Sequence, residues 1–367
     1  MKILHVINSL HTGGAEKLLV DMLPLYEAKG IDVELLLLNG TSTPFLDKLT
    51  TTFAGKISSL GNRSVYNPVN ILGLCRYIKN YDVVHVHLFP SFYWVAIAKV
   101  IKRSKTQLVY TEHSISNRRF RSSFTKPIDT FIYKQYTKIV GITQPICDLI
   151  ANRFNKKGGT ILIENGVNIN QIINEVPLSI KALSELCQSD LSDKKIVLQV
   201  SSFHPPKDQM TVIKSLELMD ENIVLILVGT GHMKAQIEKQ TIDLGLKNRV
   251  FFLGVRTDVH AILQAVDLIV LSSKYEGMSL SSIEGMASGK PFVASDVPGL
   301  TEIVTGAGLL FEVGNHKELA TKINLLLTDT DYGASVANRC QARAAQYDIS
   351  TMIVKHIKLY QEVYAEK

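Results

Sequence analysis

Short apolar runs alternate with stretches of helical period along nearly all of the 367 residues. Lys2–Asn8, Val33–Leu38, Lys56–Leu60, Val83–His87, Leu108–Thr111, Ile139–Ile142 and Thr160–Ile163 have the length and apolar content of buried strands. Between them, Ala15–Ala28, Ile71–Lys79, Phe92–Arg103 and Ile128–Tyr136 carry apolar residues at helical spacing, as Leu18, Leu19, Met22 and Leu23 do. This alternation predicts an α/β fold with a doubly wound parallel sheet and right-handed crossovers. The pattern starts again with Lys195–Val200, Ile223–Val228, Val250–Leu253, Leu268–Leu271, Pro291–Ala294 and Leu309–Phe311. It closes with helical patterns at Lys317–Leu327 and Ile349–Tyr364. A polar stretch, Gln171–Ser192, holds Pro177 and an amphipathic patch between the two series. The expected organisation is a first domain over 1–172, a linker region over 173–193, a second domain over 194–345 and a closing helix over 346–367.

Composition adds modest limits. A hydrophobic content of 46% with 20% charged residues is that of a soluble globular protein. Apolar runs such as Ile223–Val228 are too short to span a bilayer, and the N-terminal run turns polar by Asn8, as a first strand does and a signal peptide does not. The four cysteines show no CxxC pair, which favours reduced thiols and a cytoplasmic location. Charge is uneven: residues 1–175 hold 21 Lys+Arg and 12 Asp+Glu, the rest 19 and 22. The first half is therefore expected to meet an anionic partner, such as an acidic membrane surface, a pyrophosphate-linked lipid or nucleic acid. Arg118, Arg119 and Arg121, interleaved with Phe120 and followed by Phe124, suit peripheral contact with an anionic membrane on its cytoplasmic face, or simply a solvated loop. No nucleic-acid module accompanies them, so no nucleic-acid partner is expected.

The chemistry concentrates in Ser272–Glu302. Glu276 and Glu284 stand eight positions apart. On one helix they would be separated by roughly 12 Å. Gly277 and the serines instead place Glu276 on a loop and Glu284 in the helix that follows, so both can face one ligand. Backbone N–H groups near Ser281 and Ser282, at the positive end of that helix, offer a phosphate seat. Such a site suits a sugar nucleotide; two solvated glutamates around a capped helix fit the spacing as well. His85 and His87 lie on one face of a strand, but no third ligand at usable spacing accompanies them, so no metal site is expected.

Glu276-Gly277, Leu280, Glu284, Met286-Ala287, Gly289, Pro291, Pro298-Gly299 and Glu302-Ile303-Val304 together resemble the E-x7-E signature of retaining glycosyltransferases. The match is to family 4, whose GT-B fold sets two Rossmann-like doubly wound domains face to face across a cleft. The resemblance spans nearly the whole chain, most specifically residues 195–305. It implies transfer of a hexosyl or N-acetylhexosaminyl group from a UDP-linked nucleotide sugar to a hydroxyl of a glycan or lipid-linked acceptor, with anomeric configuration retained. No metal or other cofactor is implied.

The resemblance also carries roles onto matching positions. Ser201–Lys207 resembles the family's diphosphate loop, with Lys207 kept and Ser202 standing where an arginine is usual. That substitution leaves more of the leaving-group stabilisation to Lys207. Gly229, followed by Thr230 and Gly231, permits close backbone approach to a ligand. Val255, in Gly254–Asp258, resembles the base-reading position; Asp258 alternatively caps the next helix. Ser281, Ser282 and Glu284 would hold phosphate and ribose, Glu276 would orient the transferred sugar, and the departing phosphate would itself take the acceptor proton. In the first half, Gly13, Gly14 and Glu16 resemble the family's GGAE loop, otherwise a tight strand-to-helix turn. His113 stands where the family commonly has a cleft histidine, which would contact the transferred sugar or acceptor in catalysis; otherwise it is a buried or loop histidine without a role. Asn165 matches the NGV element, with Asn168 replacing the usual acid. A sugar-nucleotide 2-epimerase of the same fold, or a non-catalytic nucleotide-sugar-binding protein, are the alternatives.

Overall fold

The computed structural model describes residues 1–11, 13–113, 125–156 and 158–366. The chain divides into two compact units: Met1–Gly166 with Ile349–Lys367, and Val167–Asp348.

In the first unit, β1 (Lys2–Ile7), β2 (Asp32–Leu37), β3 (Ile57–Ser59), β4 (Val83–His87), β5 (Gln107–Glu112), β6 (Lys138–Gly141) and β7 (Thr160–Leu162) form one sheet. Their order is β3-β2-β1-β4-β5-β6-β7, and every pairing is parallel. The chain winds outward from β1 to β3, then crosses to β4 and winds the other way. The turnover between β1 and β4 leaves their C-terminal loops to diverge, the usual place for a ligand in an open α/β sheet. Helix Gly14–Ala28 buries Leu18, Leu19, Met22, Leu23 and Tyr26, the apolar stripe its 3.6-residue period requires. Helix Ile349–Ala365 closes this unit on a buried face of Met352, Ile353, His356, Leu359, Tyr360 and Val363. Its Tyr360 hydroxyl lies 3.4 Å from that of Tyr26.

The second unit repeats the plan with six strands. β8 (Lys195–Val200), β9 (Ile223–Val228), β10 (Val250–Gly254), β11 (Leu268–Leu271), β12 (Phe292–Ser295) and β13 (Leu309–Phe311) run in the order β10-β9-β8-β11-β12-β13, again parallel. Here the winding reverses between β8 and β11. Strands covered on both faces must be apolar throughout, and Ile223–Val228 is buried at all six positions.

Residues 173–193, expected as a linker, are built into this unit. Helix Ile180–Cys187 drives Leu183 and Cys187 into the second core, and Leu191 follows them. The amphipathic patch there is a packing face, and burying it leaves no free tether. Two further helices, Pro44–Thr52 and Gln144–Arg153, each begin with a proline in the first turn, where its missing N–H is harmless.

Candidate active site

The two loops that diverge at the turnover of the second sheet follow β8 and β11, and they bring Lys207 and Glu276 together. Lys207 Nζ donates to Glu276 Oε1 at 2.5 Å, and Ser273 Oγ donates to the same oxygen at 2.6 Å. Lys207 ends a short 3-10 turn, Pro205–Lys207, and Asp208 beyond it adopts φ 44°. That left-handed bend is held from both strand ends. Gln199 Nε2 donates to the Lys207 carbonyl at 3.0 Å, and Ser272 Oγ reaches the Asp208 carbonyl at 2.9 Å. The Lys274 N–H then ties the second loop to the Pro206 carbonyl at 2.7 Å. An ammonium and a carboxylate 69 positions apart in sequence are thus fixed by backbone that cannot shift independently.

Gly299 belongs to this frame. A Cβ there would lie 2.3 Å from the Gly277 carbonyl oxygen and 2.7 Å from that of Glu276, and its φ is +86°. The Pro298-Gly299 turn therefore packs directly against the backbone that carries Glu276.

Helix Leu280–Ala287 begins beside these loops. Its cap is Ser279, whose Oγ accepts from the Ser282 N–H at 3.3 Å and lies 3.1 Å from Ser281 Oγ. Ser282 is fully buried. The expectation of a phosphate seat on both the Ser281 and Ser282 N–H groups is corrected here: capping consumes the Ser282 donor. The Leu280 and Ser281 N–H groups, at the first two helical positions, have no acceptor within the helix. Glu284 is almost fully buried one turn on, its Oε1 3.6 Å from His260 Nε2.

Gly229 has φ +137°, and a Cβ there would meet the Ser201 carbonyl oxygen at 2.0 Å; at Gly231 it would meet that of Phe203 at 2.4 Å. The small residues are required by packing of this loop on the loop after β8, a reason distinct from close approach of a ligand. Phe203 N–H donates to the Thr230 carbonyl at 2.9 Å, lacing the same two loops. Ser202 is exposed, and its carbonyl accepts from Gln209 Nε2 at 3.0 Å. Val255 is 41% exposed after Gly254 at φ +68°. Asp258 makes no side-chain cap; its carboxylate instead takes Arg256 in a two-pronged pair at 2.9 and 2.7 Å, which depresses its pKa.

In the first unit, Gly13 caps helix Gly14–Ala28 without a side-chain bond. A Cβ at Gly13 would fall 2.2 Å from Glu16 Oε2, so the glycine makes room for that carboxylate to fold over the helix N-terminus. Burial raises the Glu16 pKa. Asn165 is buried, and Asn168 caps the helix Ile169–Ile173 through Gln171 N–H at 3.1 Å, a use that needs no charge. His113 follows β5, with its Nε2 buried and without a hydrogen-bond partner among the described residues; burial lowers its pKa to about 4. Thr12 and the cluster with Arg118, Arg119, Phe120, Arg121 and Phe124 lie outside the described residues.

The expectation that His85 and His87 lack a third partner is also corrected. Parallel pairing sets His5 of β1 opposite His85, and one ring nitrogen from each of His5, His85 and His87 lies within 4.8 Å of the others. All three are buried, which pushes their pKa values down, that of His5 to about 3.

Several residues of the frame around Lys207 and Glu276, and one of the histidine cluster, were given no role from sequence. Gln199 and Ser272 are polar groups in or directly after apolar strands, and His5 interrupts one; a buried polar residue in such a run is the available signal. His260 sits in an unremarkable helix and gave none.

Two family models cover most of the chain. "Glycosyltransferase Family 4" matches residues 12–171, and "Glycosyl transferases group 1" matches residues 188–346. The chain belongs to the family 4, group 1 glycosyltransferases. The putative glycosyltransferase EpsD of Bacillus subtilis is 25% identical, over 82% of this chain and 81% of that protein. The UDP-Gal:alpha-D-GlcNAc-diphosphoundecaprenol alpha-1,3-galactosyltransferase of Escherichia coli is 25% identical, over 90% of this chain and 88% of its own length. Among solved structures, Anabaena Alr3699/HepE in complex with UDP-glucose superposes with a TM-score of 0.84 at 26% identity, covering 99% of this chain and all of that one. This glycosyltransferase therefore has the GT-B fold, as its two parallel sheets of seven and six strands already indicate.

Proposed function

We propose that this glycosyltransferase moves a hexosyl or N-acetylhexosaminyl group from a UDP-sugar to a hydroxyl of a lipid-linked glycan, with retention at the anomeric carbon. The observation that carries the reading is the Lys207–Glu276 pair, fixed where the winding of the second sheet reverses. The UDP-glucose bound to the Anabaena relative and the diphosphoundecaprenol acceptor in the name of the E. coli relative support the donor and acceptor classes.

On this reading, the Lys207 ammonium turns from its carboxylate partner toward the donor diphosphate and stabilises charge that grows as the glycosidic C–O bond breaks. The Leu280 and Ser281 N–H groups and the helix dipole behind them add to that field. With Lys207 turned to the diphosphate, Ser273 still holds Glu276 Oε1, and the carboxylate is left to accept from a hydroxyl of the transferred sugar. Glu284 accepts from the ribose hydroxyls, with His260 at its back, and the backbone at Val255 reads the base. The acceptor oxygen bonds to the anomeric carbon on the face the diphosphate leaves, and its proton passes to the departing phosphate oxygen. Gly13, Gly14, Glu16, His113 and Asn165 serve the acceptor or the sugar from the first unit. Contact with an anionic membrane at the cytoplasmic face belongs to the same proposal.

Calorimetric titration with UDP tests the donor assignment. The wild-type chain is expected to bind, and Lys207→Ala to bind at least about tenfold more weakly, the scale of a lost charge-assisted contact. Equal affinity in the two proteins would remove Lys207 from the diphosphate.

A further inference from the structure

A cluster of imidazoles lies in the first unit beneath the C-terminal helix. His85 and His87 are two apart on β4, hence on one face of the sheet, and His5 joins them from the neighbouring strand. His5 Nδ1 and His87 Nε2 are 3.0 Å apart; His85 Nδ1 is 2.6 Å from the Tyr360 hydroxyl, and His85 Nε2 is 2.7 Å from Thr111 Oγ1. The three rings are 0%, 0% and 3% exposed. Among the described residues, His5 Nε2 and both ring nitrogens of the adjacent His356 are buried with no hydrogen-bond partner. Each such group carries a desolvation cost of about 1–3 kcal/mol, so a core filled this way is a poor apolar core. One ring nitrogen from each of His5, His85 and His87 lies within 4.8 Å of the others, which makes these three imidazoles a candidate ligand set.

We propose that His5, His85 and His87 bind a divalent d-block cation of the zinc class. An all-imidazole set selects zinc, nickel or copper over magnesium or calcium, which require oxygen ligands. Two imidazole nitrogens on one tetrahedral zinc stand about 3.3 Å apart at the usual Zn–N length. The His5–His87 pair, at 3.0 Å, is close to that separation, and the proton the two nitrogens share moves to the outer nitrogen of one ring, or to solvent, as the ion binds. His85 exchanges its Thr111 contact for the ion and keeps the Tyr360 hydroxyl on Nδ1, the bond that orients a metal-bound imidazole. Because Tyr360 comes from helix Ile349–Ala365, the bound ion ties that helix to the centre of the sheet. The role is structural, and it stands or falls independently of the proposed sugar transfer.

The test uses the full-length chain unfolded in denaturant with EDTA and refolded with either Zn(II) or EDTA, then dialysed and analysed by elemental mass spectrometry. About one zinc per chain is expected after refolding with Zn(II), together with a higher Tm than the EDTA-refolded sample. His5→Asn and His87→Asn are each expected to lower zinc affinity at least tenfold, about the loss seen when a metal site loses one of its supports. Refolding with Co(II) reads the site without a variant: visible absorption bands of imidazole-bound cobalt, distinct from those of the aquo ion, are expected, and they decide the matter if the variants fail to fold. Zinc below about a tenth of an equivalent in the refolded wild type would overturn the site. So would zinc retained undiminished by folded His5→Asn and His87→Asn chains.

Discussion

Replacing Lys207 by alanine removes the ammonium that faces Glu276 while leaving intact the carbonyl bonds that fix its backbone. Turnover is expected to fall by about two to three orders of magnitude, as when one charge-stabilising donor is lost, with little change in Tm. Steady-state assay alongside thermal unfolding checks both halves. Ser202 allows the opposite experiment. It is exposed, and the resemblance of Ser201–Lys207 to the family's diphosphate loop implies an arginine at its position. Ser202→Arg is expected to tighten UDP binding about tenfold, since a guanidinium adds a charge-assisted fork. A calorimetric affinity that stays flat would mean that this side chain does not reach the diphosphate.

At the level of elements, the sequence pattern located strands well because central parallel strands are apolar without interruption. Val83–His87, Lys195–Val200, Ile223–Val228 and Leu268–Leu271 match the observed β4, β8, β9 and β11 residue for residue. What the pattern left unread is relational. Spacing suggests that Glu276 stands on a loop, but its bond to Lys207 depends on β8 and β11 being neighbours, a product of sheet order. The same holds for His5, which joins His85 only through the register of β1 with β4. Ser282 was misread because Ser279, three positions earlier, was a better cap than the pattern suggested. The glycine of the loop after β9 gives this scale its prediction. Gly229→Ala would force a Cβ against the Ser201 carbonyl at a φ of +137°. A loss of about 2 kcal/mol or more is expected in urea unfolding, and UDP affinity should fall with it as the loop after β8 is displaced.

For the molecule as a whole, the two units differ in how the chain completes them. The second is continuous, whereas the first takes its last helix from the far end of the sequence. Ending the chain at Asp348 would strip Met352, Ile353, Leu359, Tyr360 and Val363 from the first core. At about 1.5–3 kcal/mol for each buried apolar side chain, the loss is on the order of 10 kcal/mol, comparable with the net stability of a domain. Limited proteolysis of the truncated chain should therefore degrade residues 1–166 and leave 167–348 protected. Equal protection of both parts would show that the helix is dispensable.

The central claim is that the Lys207–Glu276 frame turns over a UDP-sugar with retention. Proton NMR of the purified protein with a panel of UDP-sugars follows this directly, because slow transfer to water needs no added acceptor. UDP release from one donor is expected, with the freed sugar appearing first as the anomer it had in the donor, and loss of that signal in Lys207→Ala. Appearance of the opposite anomer first, formation of a 2-epimer, or unchanged release in Lys207→Ala would contradict it.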